Sequence, residues 1–134
     1  MKSNKTKNKI PFGHLLTLDL YGCKEGACDD IALCYNFLED IVDELKMKKQ
    51  SPPFIFRSDA KLYPQKAGLS GWIPIIESGI QIHTLVPKNF ISVDVYSCGK
   101  FTAGNIETFV QNYFGCKEVE MNYIERGVKY NNIK

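Results

Sequence analysis

The chain has 134 residues, a net charge of +2, 44% hydrophobic and 24% charged residues, a size that holds one core and leaves no room for two full domains. That balance belongs to an ordinary globule and excludes disordered and membrane-spanning classes. The positive excess sits largely in the opening MKSNKTKNK, which has no apolar pattern to bury, so residues 1–10 are expected to be a flexible basic tail and 1–134 one domain.

Ile10-Pro11-Phe12-Gly13 is too short and too broken for the apolar segment of an export signal. No run approaches the ~20 apolar residues of a membrane helix, so a cytoplasmic location without a membrane partner is expected. Five cysteines argue for reduced thiols over a disulfide framework, with Cys23, Cys28, Cys34 and Cys116 as small apolar packing. Their spacing and the two histidines, His14 and His83, lack the close pairing that zinc favours, so no metal is expected. No element interleaves Lys or Arg with aromatics, which argues against nucleic acid as a partner.

In chain order, HLLTLDLY (14–21) alternates with Leu16, Leu18 and Leu20 on one side and ends at Gly22, the pattern of a strand. Asp29 or Asp30 offers an N-cap, and Ile31, Cys34, Leu38, Ile41, Val42 and Leu45 recur at helical spacing. Ser51-Pro52-Pro53 breaks the chain, and Phe54–Phe56 starts a second strand before a polar loop over 58–68. Trp72–Ile76 is β-prone, with Pro74 pointing to an edge or bulged strand.

The runs Ile80–Val86 and Phe90–Cys98, separated by Pro87-Lys88-Asn89, read as a hairpin. Ala103, Ile106, Phe109, Val110, Tyr113 and Phe114 form the apolar face of a second helix that stops at Gly115. Alternation from Glu118 to Tyr123 gives a last strand, and Asn131–Lys134 is expected to fray. This order suggests an α+β domain with helices on one face of an antiparallel or mixed sheet.

With the hairpin turn centred near Pro87-Lys88, His83 faces Ser92 and Cys98 faces Glu77. Gln81, His83, Ser92, Asp94, Tyr96 and Cys98 then share a polar face, and Ile80, Ile82, Ile91, Val93 and Val95 an oily one. The polar face carries an imidazole, a thiol and a carboxylate, which this register gathers beside the Glu77–Ser78 bond. Ser78 before Gly79 also fits a simple turn, and spacing alone does not establish hydrogen-bond reach between nucleophile and base.

The stretches GHLLTLDLYGC (13–23), GLSGWIPIIES (68–78), IHT (82–84) and VDVYSCG (93–99) resemble, in order, the short prokaryotic S-adenosylmethionine decarboxylases. The likeness runs from about Gly13 to about Arg126. It rests on an ordered set: Ser70-Gly71, Glu77-Ser78, His83 five residues later, and Cys98-Gly99 fifteen after that. The resemblance implies a self-processing proenzyme cut between Glu77 and Ser78, with Ser78 converted into a pyruvoyl group and no external cofactor.

By the same resemblance, the pyruvoyl group takes the substrate amine as a Schiff base. His83 and Ser70 assist processing, and Cys98 returns a proton to the α-carbon. A histidine suits the proton transfer because it titrates near neutrality. The family fold adds an expected four-stranded, mainly antiparallel sheet with two helices packed on one face. It also implies a homodimer whose sites draw on both protomers, and a role supplying the aminopropyl donor for spermidine biosynthesis.

Three stretches depart from the family pattern. Gly79 stands where a histidine usually follows the serine. His83-Thr84-Leu85-Val86-Pro87 lacks the acidic residue expected to hold the ribose. Ala60-Lys61-Leu62-Tyr63-Pro64 puts Leu62 at the adenine-stacking position unless Tyr63 serves there. These changes leave open decarboxylation of arginine or ornithine, for which Asp94 would suit a cationic side chain, and an unprocessed, non-catalytic dimeric binding module.

Overall fold

A computed structural model describes residues 10–134; the expected basic tail lies, apart from Ile10, outside the described residues. The alternating leucines form β1 (Gly13–Tyr21), with Leu16, Leu18 and Leu20 fully buried. Asp30 caps α1 (Ile31–Leu45), its side chain accepting from the Leu33 N–H at 3.0 Å, which satisfies one of the donors a helix start leaves free. Cys34, Phe37, Leu38, Ile41, Val42 and Leu45 are the buried stripe of α1.

Four further strands precede and include the hairpin region: β2 (Phe54–Arg57), β3 (Leu69–Ile75), β4 (Ser78–Leu85) and β5 (Phe90–Ser97). Next comes α2 (Ala103–Phe114), closed by Gly115 in the left-handed region at φ 60°, where the missing Cβ removes the steric cost. Last is β6 (Glu118–Arg126).

The strands form one sheet in the order β2-β3-β4-β5-β1-β6, every neighbouring pair antiparallel. The sheet therefore has six strands, correcting the four implied by the resemblance. Its edges are β2 and β6. Short β2 pairs from Phe54 opposite Trp72 to Arg57 opposite Leu69, and β6 runs beside the whole of β1.

Both helices lie on one face, α1 against β2, β3 and β4, and α2 against β1 and β6. The β4–β5 register matches the sequence expectation, with His83 opposite Ser92 and Ile80 opposite Val95. Ile80, Ile82, Ile91, Val93 and Val95 are fully buried on the helix side.

Pro74 sits inside β3, one strand in from the edge, and is tolerated for a local reason. β2 pairs with β3 only as far as Trp72, and the Pro74 carbonyl turns toward that same side to accept the Gln50 N–H at 2.9 Å. The donor that proline lacks would face no paired strand there. At the other end of the chain, Asn131–Lys134 does not simply fray. Asn131 Nδ2 donates to the Ile10 carbonyl at 3.1 Å, and Tyr130 packs edge-on against Phe12 with ring centroids 4.7 Å apart.

Candidate active site

β3 and β4 join through the two-residue turn Ile76-Glu77, with Ile75 opposite Ser78. Ser78 is thus the first residue of β4, and its φ is 147°, a region that residues with a Cβ rarely occupy and that costs of order 1–3 kcal/mol. The turn is held from two sides. The Cys98 N–H donates to the Glu77 carbonyl at 2.8 Å, and the Ile76 N–H donates to the Lys48 carbonyl at 2.8 Å. The Glu77 carboxylate accepts the Lys48 N–H at 3.2 Å.

The carbonyl of the Glu77–Ser78 bond therefore already holds a donor on the oxygen that would become an oxyanion under attack. Cys98 itself is exposed. Its turn is fixed by buried Ser97, whose Oγ accepts the Gly99 N–H at 2.8 Å.

A cavity of about 440 Å³ opens beside this bond, lined by Ser78, Gly79, Trp72, Asp94, Tyr96 and Arg126, among others. Arg126 stacks over the Tyr96 ring at 4.6 Å. Asp94 titrates above the ordinary carboxylate range because burial disfavours its charge, and the nearby Asp19 adds repulsion. Trp72 crosses Gly79 so closely that a Cβ there would meet its Nε1 at 2.9 Å.

Ser70 and His83 form a second group. They are directly opposed across β3 and β4, with Ser70 Oγ 2.9 Å from His83 Nδ1. Together with Ser92 opposite His83 and Asp19 opposite Ser92, they make a polar row across the sheet. His83 is five residues along β4 from Ser78, roughly 17 Å at a strand's rise of about 3.3 Å per residue.

The structure thus brings Glu77, Ser78 and Cys98 together at one end of the hairpin, puts Ser70 with His83 toward the other, and sets Asp94 between them, opposite Gln81, on the wall of the cavity that Ser78 also lines. The expected gathering of the imidazole beside the Glu77–Ser78 bond does not occur within one chain. A shared sheet face is not a shared position along the strand. Tyr63, on the loop between β2 and β3, is 59% exposed. It belongs to the far end too, since the 3₁₀ turn that follows it packs against the turn after β4.

Sequence reasoning missed the Cys98 N–H, which carries no side-chain signal, and the brace from Lys48. It also missed Trp72 and Arg126. Extending the hairpin register across Ile76-Glu77 would have found Trp72 opposite Gln81; Arg126 depends on a β1–β6 pairing that no local pattern encodes. Among the described residues no cluster of potential metal ligands occurs, and no helix is long and apolar enough to cross a membrane.

Comparison with known proteins places the chain in a family. An S-adenosylmethionine decarboxylase proenzyme of Clostridium botulinum is 29% identical over 116 residues, 86% of this chain and 94% of that protein. One from Methanococcus maripaludis is 29% identical over 118 residues, 87% and 90% of the two chains. The crystal structure of the adenosylmethionine decarboxylase from Aquifex aeolicus superposes with a TM-score of 0.74 at 25% identity, covering 88% of this chain and 92% of that one. The family profile described as S-adenosylmethionine decarboxylase matches residues 14–127, and the chain belongs to that family.

Proposed function

We propose that this chain is a proenzyme that cuts itself between Glu77 and Ser78 and, once cut, decarboxylates S-adenosylmethionine with a pyruvoyl group made from Ser78. The observation that carries the reading is the Cys98 N–H on the Glu77 carbonyl, immediately before a serine held at φ 147°. In this reading Ser78 Oγ attacks the Glu77 carbonyl carbon, and the Cys98 N–H stabilises the charge gathering on the oxygen. The resulting amide-to-ester shift relieves the strain stored at Ser78.

A base then removes the Ser78 α-proton, and β-elimination releases the Glu77 carboxylate. Hydrolysis of the dehydroalanine left behind expels ammonia and leaves the new amino-terminal ketone. That group fits the surroundings of Ser78, which lies at the wall of a cavity large enough for a small substrate. When formed, it supplies an electron sink for the pair released as carbon dioxide leaves.

The chain's own groups do the rest. Asp94 faces the positive end of the substrate, and Trp72 and Tyr96 wall the cavity. Cys98, exposed and tied through its N–H to the Glu77 carbonyl, returns a proton to the α-carbon from its thiol.

The processing base is His83, assisted by Ser70, but acting on the Ser78 of a second copy. Two observations support a dimer with shared sites. The Ser70–His83 pair is roughly 17 Å along the strand from its own Ser78. The sheet face opposite the helices also exposes Phe54, Phe56 and Trp72 at 46%, 69% and 46%, a patch that suits burial against a partner. A cytoplasmic location and a place in spermidine biosynthesis go with this reading.

Mass spectrometry of the denatured protein tests it. Two chains, 1–77 and 78–134, the second with a blocked amino end, are expected, and Ser78→Ala should leave one chain. Carboxyl-labelled S-adenosylmethionine should release carbon dioxide, where labelled arginine and ornithine do not. A single intact chain after long incubation would overturn the reading in favour of a binding module.

A further inference from the structure

Four of the five cysteines are buried, and two of these four face each other. Just past the β1–β6 ladder, which ends with Tyr21 opposite Glu118, Cys23 and Cys116 meet. Backbone hydrogen bonds hold the two segments together on either side of the pair: the Lys24 N–H donates to the Phe114 carbonyl at 2.8 Å, and the Lys117 N–H to the Tyr21 and Gly22 carbonyls at 3.0 and 3.2 Å.

The two sulfurs are 2.7 Å apart, closer than the ~3.5–4.0 Å of ordinary packed heavy atoms. The other buried cysteines point elsewhere, Cys28 Sγ to the Asn89 side chain and the Phe90 carbonyl, and Cys34 Sγ to the Ala27 carbonyl.

We propose that Cys23 and Cys116 are a disulfide site, closed by a hydroperoxide, that links the two products of self-cleavage into one covalent molecule. Cys116 is the attacking thiol. The hydrogen bond from Cys23 holds its pKa below the ordinary thiol range, the condition for thiolate chemistry, and at 8% exposure it is the more accessible of the two.

The Cys116 sulfur takes one oxygen from the peroxide, becoming a sulfenic acid as the peroxide's remaining oxygen leaves as water or alcohol. The Cys23 sulfur then displaces hydroxide from it, and a second water carries away the thiol proton. Two thiols lose two electrons and two protons, and the peroxide O–O bond accepts them.

The consequence for assembly rests on the cleavage proposed above. Cys23 lies before the cut at Glu77–Ser78 and Cys116 after it. The bond would fasten β1, from the first chain, to β6, from the second, beside the ladder they already share.

The test uses the whole protein, treated with hydrogen peroxide, blocked with an alkylating agent and analysed without reductant. The processed enzyme should run as one species with the mass of both chains less two hydrogens, and reductant should separate them. Cys23→Ser or Cys116→Ser should leave two chains after the same treatment.

In uncleavable Ser78→Ala protein, a linked Cys23–Cys116 peptide pair should appear whether or not cleavage is part of this protein's biology. Full alkylation of both cysteines after peroxide, in wild type and in Ser78→Ala, would overturn the proposal. So would exclusive bonding through exposed Cys98. Absence of the two-chain species with the linked peptide still present would count against cleavage and not against the disulfide.

Discussion

Ser78 combines a strained backbone with a hydroxyl, and Gly79 beside it combines the absence of a side chain with a tight neighbour. The Trp72 indole fills the space a side chain at 79 would need, and because the close atom is at the far end of a side chain, Gly79→Ala should move the indole and leave the backbone in place. We expect Gly79→Ala to change stability by less than about 0.5 kcal/mol while raising KM several-fold. Trp72→Val placed on top of it should not raise KM further, because both changes remove the same cavity wall; steady-state kinetics of the three variants check this. Asp94 gives the pH dependence. Its folded pKa is raised by burial and by Asp19, so the folded state holds this proton more tightly than the unfolded chain does. The stabilising contribution is therefore complete below the unfolded value, about 3.9, and is lost as pH rises through the folded value. Asp94→Asn should raise the melting temperature at neutral pH, lose that advantage in acid, and weaken binding of a cationic substrate. A neutral-pH melting temperature unchanged or lowered by the substitution would contradict the burial argument.

At the level of elements, the site depends on how firmly β3 and β4 are fixed against the turn at Ala27–Asp29. Thr84 is fully buried. Its hydroxyl donates to the Cys28 carbonyl at 2.6 Å and accepts the Leu69 N–H at 2.9 Å. Thr84→Val keeps the shape and strands both backbone groups, so a loss of about 1–3 kcal/mol is expected in urea unfolding. Adjacent His83 should shift against Ser70, slowing processing as well. This tie is invisible in the sequence, where Thr84 is one β-branched residue among others. Local patterns were legible: the leucine alternation of β1, the β4–β5 register from the Pro87-Lys88-Asn89 turn, and the start of α1 at Asp29 or Asp30, of which Asp30 is the cap; most of the α1 stripe followed too, although Ile31 is exposed and buried Phe37 was missed. Strand order and site assembly were not local. The six apolar runs were each visible, yet placing β1 between β5 and β6 requires pairings between residues as far apart as Gly13 and Arg126, which periodicity does not encode. The intervals between Ser70, Ser78, His83 and Cys98 revealed which residues matter, whereas the distance along β4 decides which of them can meet.

For the molecule as a whole, a cut after Glu77 would interleave two chains in one sheet. In the order β2-β3-β4-β5-β1-β6, β2, β3 and β1 come from the first chain and β4, β5 and β6 from the second. Pulling them apart would break the β3–β4, β5–β1 and β1–β6 ladders at once, so the cut chains should co-elute under native conditions even when fully reduced, and part only in denaturant. The dimer makes a sharper demand. If His83 serves the Ser78 of the other copy, His83→Ala and Ser78→Ala chains should each remain uncut alone, the first slowed at least about 100-fold by loss of its base. Co-expressed, they should form hybrids in which an intact His83 on the Ser78→Ala chain faces an intact Ser78 on the His83→Ala chain, and the latter chain alone should be cut. Distinguishable tags on the two chains and denaturing mass spectrometry read the outcome. If hybrids form and neither chain is cut, imidazole and hydroxyl must meet within one protomer, which would require β4 to abandon the strand geometry that separates them.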